Sequence, residues 1–323
     1  MPNRPREIDR LSNKELLQLR FCDLPIRLVG TPVGERTSQV FAELTTRQIQ
    51  VRPSTWLSEE WFNPDGIVGF AIPFYLAHPR LIRLERQLML EAEGALEREA
   101  LRIIRHETGH AIDEAFEFYR RPEYVAVFGS PLRQYPSSYA VKPQSRRHVV
   151  HLNSWYAQSH PVEDFAETFA IWLRPKSHWR RQYRDWPAIE KLEAVDAWLS
   201  ECRNRPPLVT NQQPVGELDV NERRLAEHYE EKRAFYRVDA SAKFDDELRS
   251  IFAVSTDALM KGRPTSATSI LRTIRSSVRK ELARPLGVPA YTVDQVLRQL
   301  IQRARALNLR RSQPMATTIE EVV

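Results

Sequence analysis

The sequence predicts an α+β fold: residues 1–205 form a domain with a small mixed sheet, and residues 206–323 form a mostly α-helical domain. Three observations carry this expectation. Alternating, β-branched stretches occur only before residue 75; apolar residues recur with helical spacing from about residue 91; and a proline-rich polar segment, RNRPPLVTNQQPVGELD over 203–219, parts two helical blocks. Of the 323 residues 42% are hydrophobic and 28% charged, the composition of a globular chain able to bury a core.

Taken in order, NKELLQLR (13–20) predicts a short helix, and PIRLVGT (25–31) is β-like up to a Gly-Thr-Pro turn. Residues 36–48 have helical spacing, while 49–57 (IQVRPSTWL) and 67–74 read as strands. A long helix is expected over 91–119, with Leu96, Ala100, Ile103, Ile104 and Ala111 facing the core. Gly109 inside it costs about 1 kcal/mol against alanine, which points to a close neighbour. Residues 120–150, rich in Pro, Ser, Tyr and Arg, read as an ordered loop-rich insertion. Pro161 opens the next helix, which ends near Leu173, with Phe165, Phe169 and Trp172 as its apolar stripe. Helices over 177–184 and 187–202 complete the first domain, and four more, over 219–236, 242–260, 265–284 and 291–307, make up the second. The last fifteen residues carry no pattern and are expected to fray.

No stretch reaches the roughly 18 consecutive apolar residues of a membrane span. The charged first twenty residues contain no hydrophobic segment of the secretory kind. Only Cys22 and Cys202 are present, which argues against a disulfide framework or a cysteine-rich zinc site and makes a cytoplasmic setting the expectation. The net charge of +6 is uneven: residues 261–323 hold 12 Lys and Arg against 4 Asp and Glu. Nucleic acid is therefore a possible partner of the C-terminal helices, although an ordinary bundle with solvated arginines is the simpler reading.

The long helix contains His106-Glu107-Thr108-Gly109-His110, an H-E-x-x-H pentapeptide. Imidazoles four residues apart project from one helix face and can reach a single ion, and zinc suits such a pair. Glu107 is then the general base. A catalytic zinc takes three protein ligands, and the third must come from elsewhere, because the position six residues after His110 is Phe116. Glu163 and Glu167 form a stripe one turn apart on the 161–173 helix; His148, His151 and His160 are rival donors, and spacing leaves the choice between the two glutamates open. Asp113, three residues past His110, is placed either to orient a ligand or to pair with an arginine.

With its second motif, Tyr156-Ala-Gln-Ser-His160-Pro-Val-Glu163-Asp-Phe-Ala-Glu167-Thr, the chain resembles the gluzincin metallopeptidases, and among them a family of bacterial zinc-binding metallopeptidases. A more distant similarity is to the catalytic domain of anthrax lethal factor. The resemblance implies a zincin-like catalytic domain, zinc ligands His106, His110 and Glu163, a general base Glu107, and Tyr156 as a hydrogen-bond donor to the developing oxyanion. Glu167 becomes the acceptor that fixes the tautomer of a ligand histidine. The implied activity is hydrolysis of peptide bonds in a peptide or protein substrate. Two other readings stand beside it: a binding or scaffold protein whose zinc is structural, and a nucleic-acid-associated regulator acting through the basic helices.

Overall fold

In the computed structural model, which describes residues 5–136, 139–238, 242–254, 265–286 and 288–311, the N-terminal elements are α1 (Pro5–Arg10) and α2 (Asn13–Gln18). A capping box starts α2: Ser12 Oγ accepts the Glu15 N–H at 3.3 Å, and Glu15 Oε2 accepts the Ser12 N–H at 2.7 Å. Helix α3 (Pro32–Thr46) begins the same way, with Thr31 Oγ1 accepting the Gly34 N–H and Pro32 at the first helical position. That cap explains why 25–31 is not the strand its composition predicted. Its bonds are local, from Ile26 N–H to Leu24 O and from Thr31 N–H and Oγ1–H to Leu28 O, in place of a ladder.

The sheet of this region has two parallel strands, β1 (Ser54–Ser58) and β2 (Gly69–Pro73), with Ser54 opposite Gly69. Pro53 cannot donate to a ladder, so the strand expected from residue 49 starts only at Ser54. Mixed character comes to this sheet, among the described residues, from an antiparallel bridge to β2 in which the Ala71 N–H donates to Phe62 O at 2.9 Å. Strand β2 is buried along its whole length and packs against the long helix.

Helix α4 (Pro79–Met89) leads to α5 (Glu97–Phe116). The long helix begins later than residue 91 because Leu90 (φ 69°) and Gly94 (φ 74°) hold the approach in the left-handed region. Glu117, also left-handed at φ 51°, ends it. Pro122 opens a short helix, α6 (Pro122–Phe128), inside the segment expected to be loop. Helix α7 runs Pro161–Leu173, as its proline punctuation predicted, and α8 (Trp179–Gln182) and α9 (Ile189–Glu201) follow. Phe165, Phe169 and Trp172 are buried, and so are Glu163 and Glu167: α7 lies inside the protein on both faces. The proline-rich segment 203–219 runs along this part of the chain. Leu208 and Val209 N–H donate to Ala115 O, Val68 N–H to Asn211 O and Trp56 Nε1–H to Val215 O.

The chain divides into two compact units, one of residues up to 87 with 92–228, the other of 88–91 with 229–323. Helix α10 (Leu225–Phe235) is followed in the second unit by α11 (Asp245–Ile251), β3 (Ala253–Val254), β4 (Thr265–Ser266), α12 (Ala267–Leu286), α13 (Ala290–Ala306) and β5 (Leu309–Arg311). The three strands form an antiparallel sheet in the order β3-β5-β4, where only helix was expected. Strands of two or three residues are too short to leave a two-residue period in a sequence. Leu248, Phe252, Leu271, Ile274, Val278, Leu297 and Ile301 form the core of this unit. Buried Asp294 accepts from Arg275 Nε, Arg279 Nη1 and Arg298 Nε at 2.8, 3.0 and 2.9 Å, so part of the basic excess is bound within the unit. The expected fraying of the final residues concerns, beyond Arg311, positions outside the described ones. Among the described residues no helix is long and apolar enough to cross a membrane.

Helices α5 and α7 cross at Gly109. A Cβ there would stand 3.0 Å from Ala166 Cα, 3.1 Å from Ala166 O and 3.1 Å from the Phe169 ring, two of them backbone atoms that cannot swing away. Gly109→Ala gains about 1 kcal/mol of helix propensity but overpacks the crossing at a cost of about 1–3 kcal/mol. The net expectation is a loss of about 1 kcal/mol, read as a lower urea midpoint; a midpoint equal to or above that of the parent would show that the helices separate freely.

Candidate metal centre

Arg105, one residue before the histidine pair, fixes the rotation of α5. Its Nε and Nη2 donate to the two Glu43 carboxylate oxygens, both at 2.7 Å, in a buried bidentate pair that ties α5 to α3. From the opposite side Asn63 Nδ2 donates to Glu107 O at 3.0 Å and to Gly69 O at 3.3 Å, fastening the helix to β2. With α5 held in this way, His106 and His110 turn their rings toward the first turn of α7. The centroids lie 4.7 Å apart and the Nε2 atoms 3.0 Å apart.

Glu163 Oε2 stands 3.0 Å from His106 Nε2 and 3.3 Å from His110 Nε2. Glu167, one turn further along, takes the other side of the first ring, its Oε1 2.9 Å from His106 Nδ1. The second oxygen of Glu167 accepts the Leu152 N–H at 2.7 Å. The two glutamates that spacing could not separate are thus distinguished by which imidazole nitrogen each meets. Glu163 faces both Nε2 atoms; Glu167 meets only Nδ1 of His106.

The hydrogen-bond inventory shows what this cluster needs. A carboxylate only accepts, so the contact with Glu167 puts a hydrogen on His106 Nδ1. A neutral His106 then aims its Nε2 lone pair at a carboxylate oxygen and at a second imidazole nitrogen. Only positive charge at that point, a proton or a metal ion, makes the arrangement favourable. The same field acts on each group. Burial pulls the His106 pKa down, but Glu163 and Glu167 outweigh it and hold the group well above its usual range. Burial pushes Glu163 up, and His110 and His106 overcome that and hold it well below the carboxylate range. For Glu107 burial prevails, raising its pKa against the pull of both histidines.

A single cation fits the donor set. His106, His110 and Glu163 each offer one ligand atom, all within 4.8 Å of one another, and theirs is the one such group among the described residues. Ligands about 2.0–2.2 Å from a tetrahedral zinc stand about 3.3–3.6 Å apart, and a small outward shift of the side chains brings the present ones to that spacing. The observed separations of 3.0, 3.0 and 3.3 Å are close to that. Two imidazoles and a carboxylate are also a donor chemistry that zinc accepts.

Tyr156 is brought to the same place, its ring centroid 5.6 Å from that of His106. It lies on the 3-10 segment Asn153–Gln158, where Ser154 (φ 67°) and Trp155 (φ 51°) are left-handed, a rare conformation for non-glycine residues. Burial, then Glu163 and Glu107, raise its pKa, so the phenol remains a donor. The rival histidines are engaged elsewhere. His160 caps α7, with Nδ1 accepting the Val162 N–H and Nε2 donating to Arg133 O at 2.6 Å. His151 Nε2 donates to Arg102 O at 2.9 Å, and burial lowers its pKa to about 4. His148 approaches Asp164 at 3.7 Å. Asp113 is not brought to the histidines: its Oδ1 accepts the Tyr119 N–H at 2.9 Å, closing the far end of α5, and burial raises its pKa to about 8.

Tyr135 was not foreseen. It donates to Glu163 Oε1 at 2.9 Å from the loop-rich insertion, where no periodicity marks it. Asn63 and the Glu43–Arg105 pair were missed for a similar reason, since partners 44 and 62 residues apart leave no local pattern.

A family model described as "Putative zinc-binding metallo-peptidase" matches residues 84–179, less than a third of the chain but a span that holds both motifs. No curated protein and no solved structure matches. Zinc is thus the metal on which the donor set and the matched family agree.

Glu163→Ala should abolish stoichiometric zinc binding, whereas Glu167→Ala should weaken it about 10–100-fold; equal zinc content in both variants would refute the division between them. Asp113, with a folded pKa of about 8 against an ordinary 3.8, takes up a proton on folding between those values, so its contribution to stability falls as pH rises from about 4 to 8. Asp113→Asn should remove that slope, its advantage over the parent in urea unfolding growing from pH 5 to pH 8 by about 1 kcal/mol per unit.

Proposed function

We propose that this chain is a zinc-dependent metallopeptidase of the gluzincin kind, with residues 1–205 as a zincin-like catalytic domain acting on a peptide or protein substrate. One observation supports this above all: His106 Nε2, His110 Nε2 and Glu163 Oε2 converge on one point from two helices. The matched family description agrees with it.

When bound, zinc supplies Lewis acidity, making a water acidic enough to attack near neutral pH and polarising an amide carbonyl. The protein supplies the rest. His106, His110 and Glu163 hold the ion, with Glu167 keeping the hydrogen of His106 on Nδ1 so that the Nε2 lone pair is free for it. Glu107 is next to the first of these residues and shares their field. As general base its carboxylate takes the proton from the attacking water and delivers it to the departing amine nitrogen. Tyr156, held as a phenol, donates a hydrogen bond to the carbonyl oxygen as negative charge grows there, an interaction strongest in the transition state. We place the protein in the cytoplasm, where thiols such as those of Cys22 and Cys202 stay reduced.

Glu107→Gln tests the reading, because it keeps the shape of the side chain and removes the base. Zinc content should remain at one equivalent while cleavage of a mixed peptide library falls at least about 100-fold. Cleavage by the parent should stop on chelation and return on addition of zinc. Retained turnover in Glu107→Gln would remove this residue from the mechanism. A parent that holds zinc and cleaves nothing would favour a structural metal.

A further inference from the structure

Tyr135 belongs to neither motif, yet it touches the centre. Its hydroxyl donates to Oε1 of Glu163 at 2.9 Å, while Oε2 of the same carboxylate faces both histidines at 3.0 and 3.3 Å. Exposure of 59% shows that burial is not what holds this side chain in place. Two contacts do so instead. The ring lies flat on the imidazole of His160, with centroids 3.9 Å apart and planes inclined by 13°. That imidazole is itself fixed at both nitrogens. Nδ1 accepts the Val162 N–H at the start of α7, and Nε2 donates to Arg133 O, two residues before Tyr135. His160 therefore clamps the strand of loop that carries Tyr135 onto the turn of helix that carries Glu163.

We infer that Tyr135 is a positioning residue for Glu163, one that occupies Oε1 and leaves Oε2 as the single oxygen presented to the metal; the inference rests on the zinc reading above. A carboxylate binds a cation through one oxygen or through both. Bidentate binding by Glu163 would consume coordination room that a catalytic zinc keeps for water and substrate. A phenol hydrogen-bonded to Oε1 opposes that second contact, and its charge-assisted bond to the carboxylate is among the stronger kinds. Outer partners of metal-binding carboxylates typically change metal affinity about 10–100-fold. In this chain the outer partner of His106 is Glu167, and Tyr135 is the corresponding partner of Glu163.

Tyr135→Phe is the discriminating variant, since it removes the hydroxyl and keeps the ring that stacks on His160. Two measurements are made on the full chain. Competition with a chelator should show zinc held about tenfold more weakly than by the parent. The visible absorption of the cobalt(II)-loaded protein reports coordination number directly, four-coordinate cobalt absorbing far more strongly than five- or six-coordinate cobalt. Freed Oε1 should join the metal in the variant, so its cobalt bands should lose intensity relative to the parent. A cobalt spectrum identical to that of the parent overturns the assignment, whatever the zinc affinity. Thermal melting of the metal-free proteins supplies the control for folding. A variant that melts lower but keeps the parent spectrum would make Tyr135 a packing residue and also overturn the inference. Failure of the parent itself to bind one equivalent of zinc would instead strike at the metallopeptidase reading, and the two failures are told apart by which protein shows them.

Discussion

Gly109 allows α5 and α7 to cross so closely that a single methyl group would meet the backbone of Ala166. The candidate centre depends on this approach. A glutamate carboxylate and a histidine ring each reach only a few ångströms from their helices. Side chains from two helices share one ion only where the helices nearly touch. The glycine stands between His106 and His110 in the chain and on the helix surface that meets α7, so the motif that supplies the donors also supplies the clearance they need.

That proximity concentrates charge in a place with little water. Glu107, Glu163 and Glu167 are buried beside His106 and a slightly more open His110. Buried charges are costly unless paired and fully hydrogen-bonded, so such a cluster is weak evidence of stability and better evidence of a site. The structure meets the cost through connected contacts. Glu167 holds His106 with one oxygen and the Leu152 N–H with the other, and Tyr135 takes the remaining oxygen of Glu163. Because Leu152 leads into the segment that carries Tyr156, the carboxylate that sets the imidazole tautomer also anchors the backbone that sets the tyrosine. Ser154 and Trp155, left-handed between those two points, store strain of about 1–3 kcal/mol each, which the surrounding contacts hold in place.

The second unit follows a different logic. Its helices α12 and α13 bury one apolar face, and the arginines between the apolar positions are partly drawn inward by Asp294. Arg303 is likewise paired, with Asp245. Net charge counted along a sequence treats every arginine as solvated; the folded unit shows several of them fixed by a buried carboxylate.

Local chemistry accounts for what could be read without coordinates. The histidine pair, its glutamate and the helix that carries them follow from a four-residue spacing, and the limits of α7 follow from Pro161 and Pro175. The close neighbour of Gly109 was implied by a glycine in the middle of a helix. Other features escaped because their causes are not local. The β-like stretch 25–31 yields to a cap at Thr31 and pairs with no strand among the described residues, and the two- and three-residue strands of the second unit exist only because their partners are brought beside them. By itself the sequence determined which residue types can bind and activate at a metal and on which helices they ride, because helical periodicity is written into the chain. Tertiary structure alone decided that Glu163 meets both Nε2 atoms while Glu167 meets Nδ1, that Asp113 turns away, and that Tyr135 arrives from a loop. Those choices depend on the rotation and separation of two packed helices, distances that no spacing along a chain encodes.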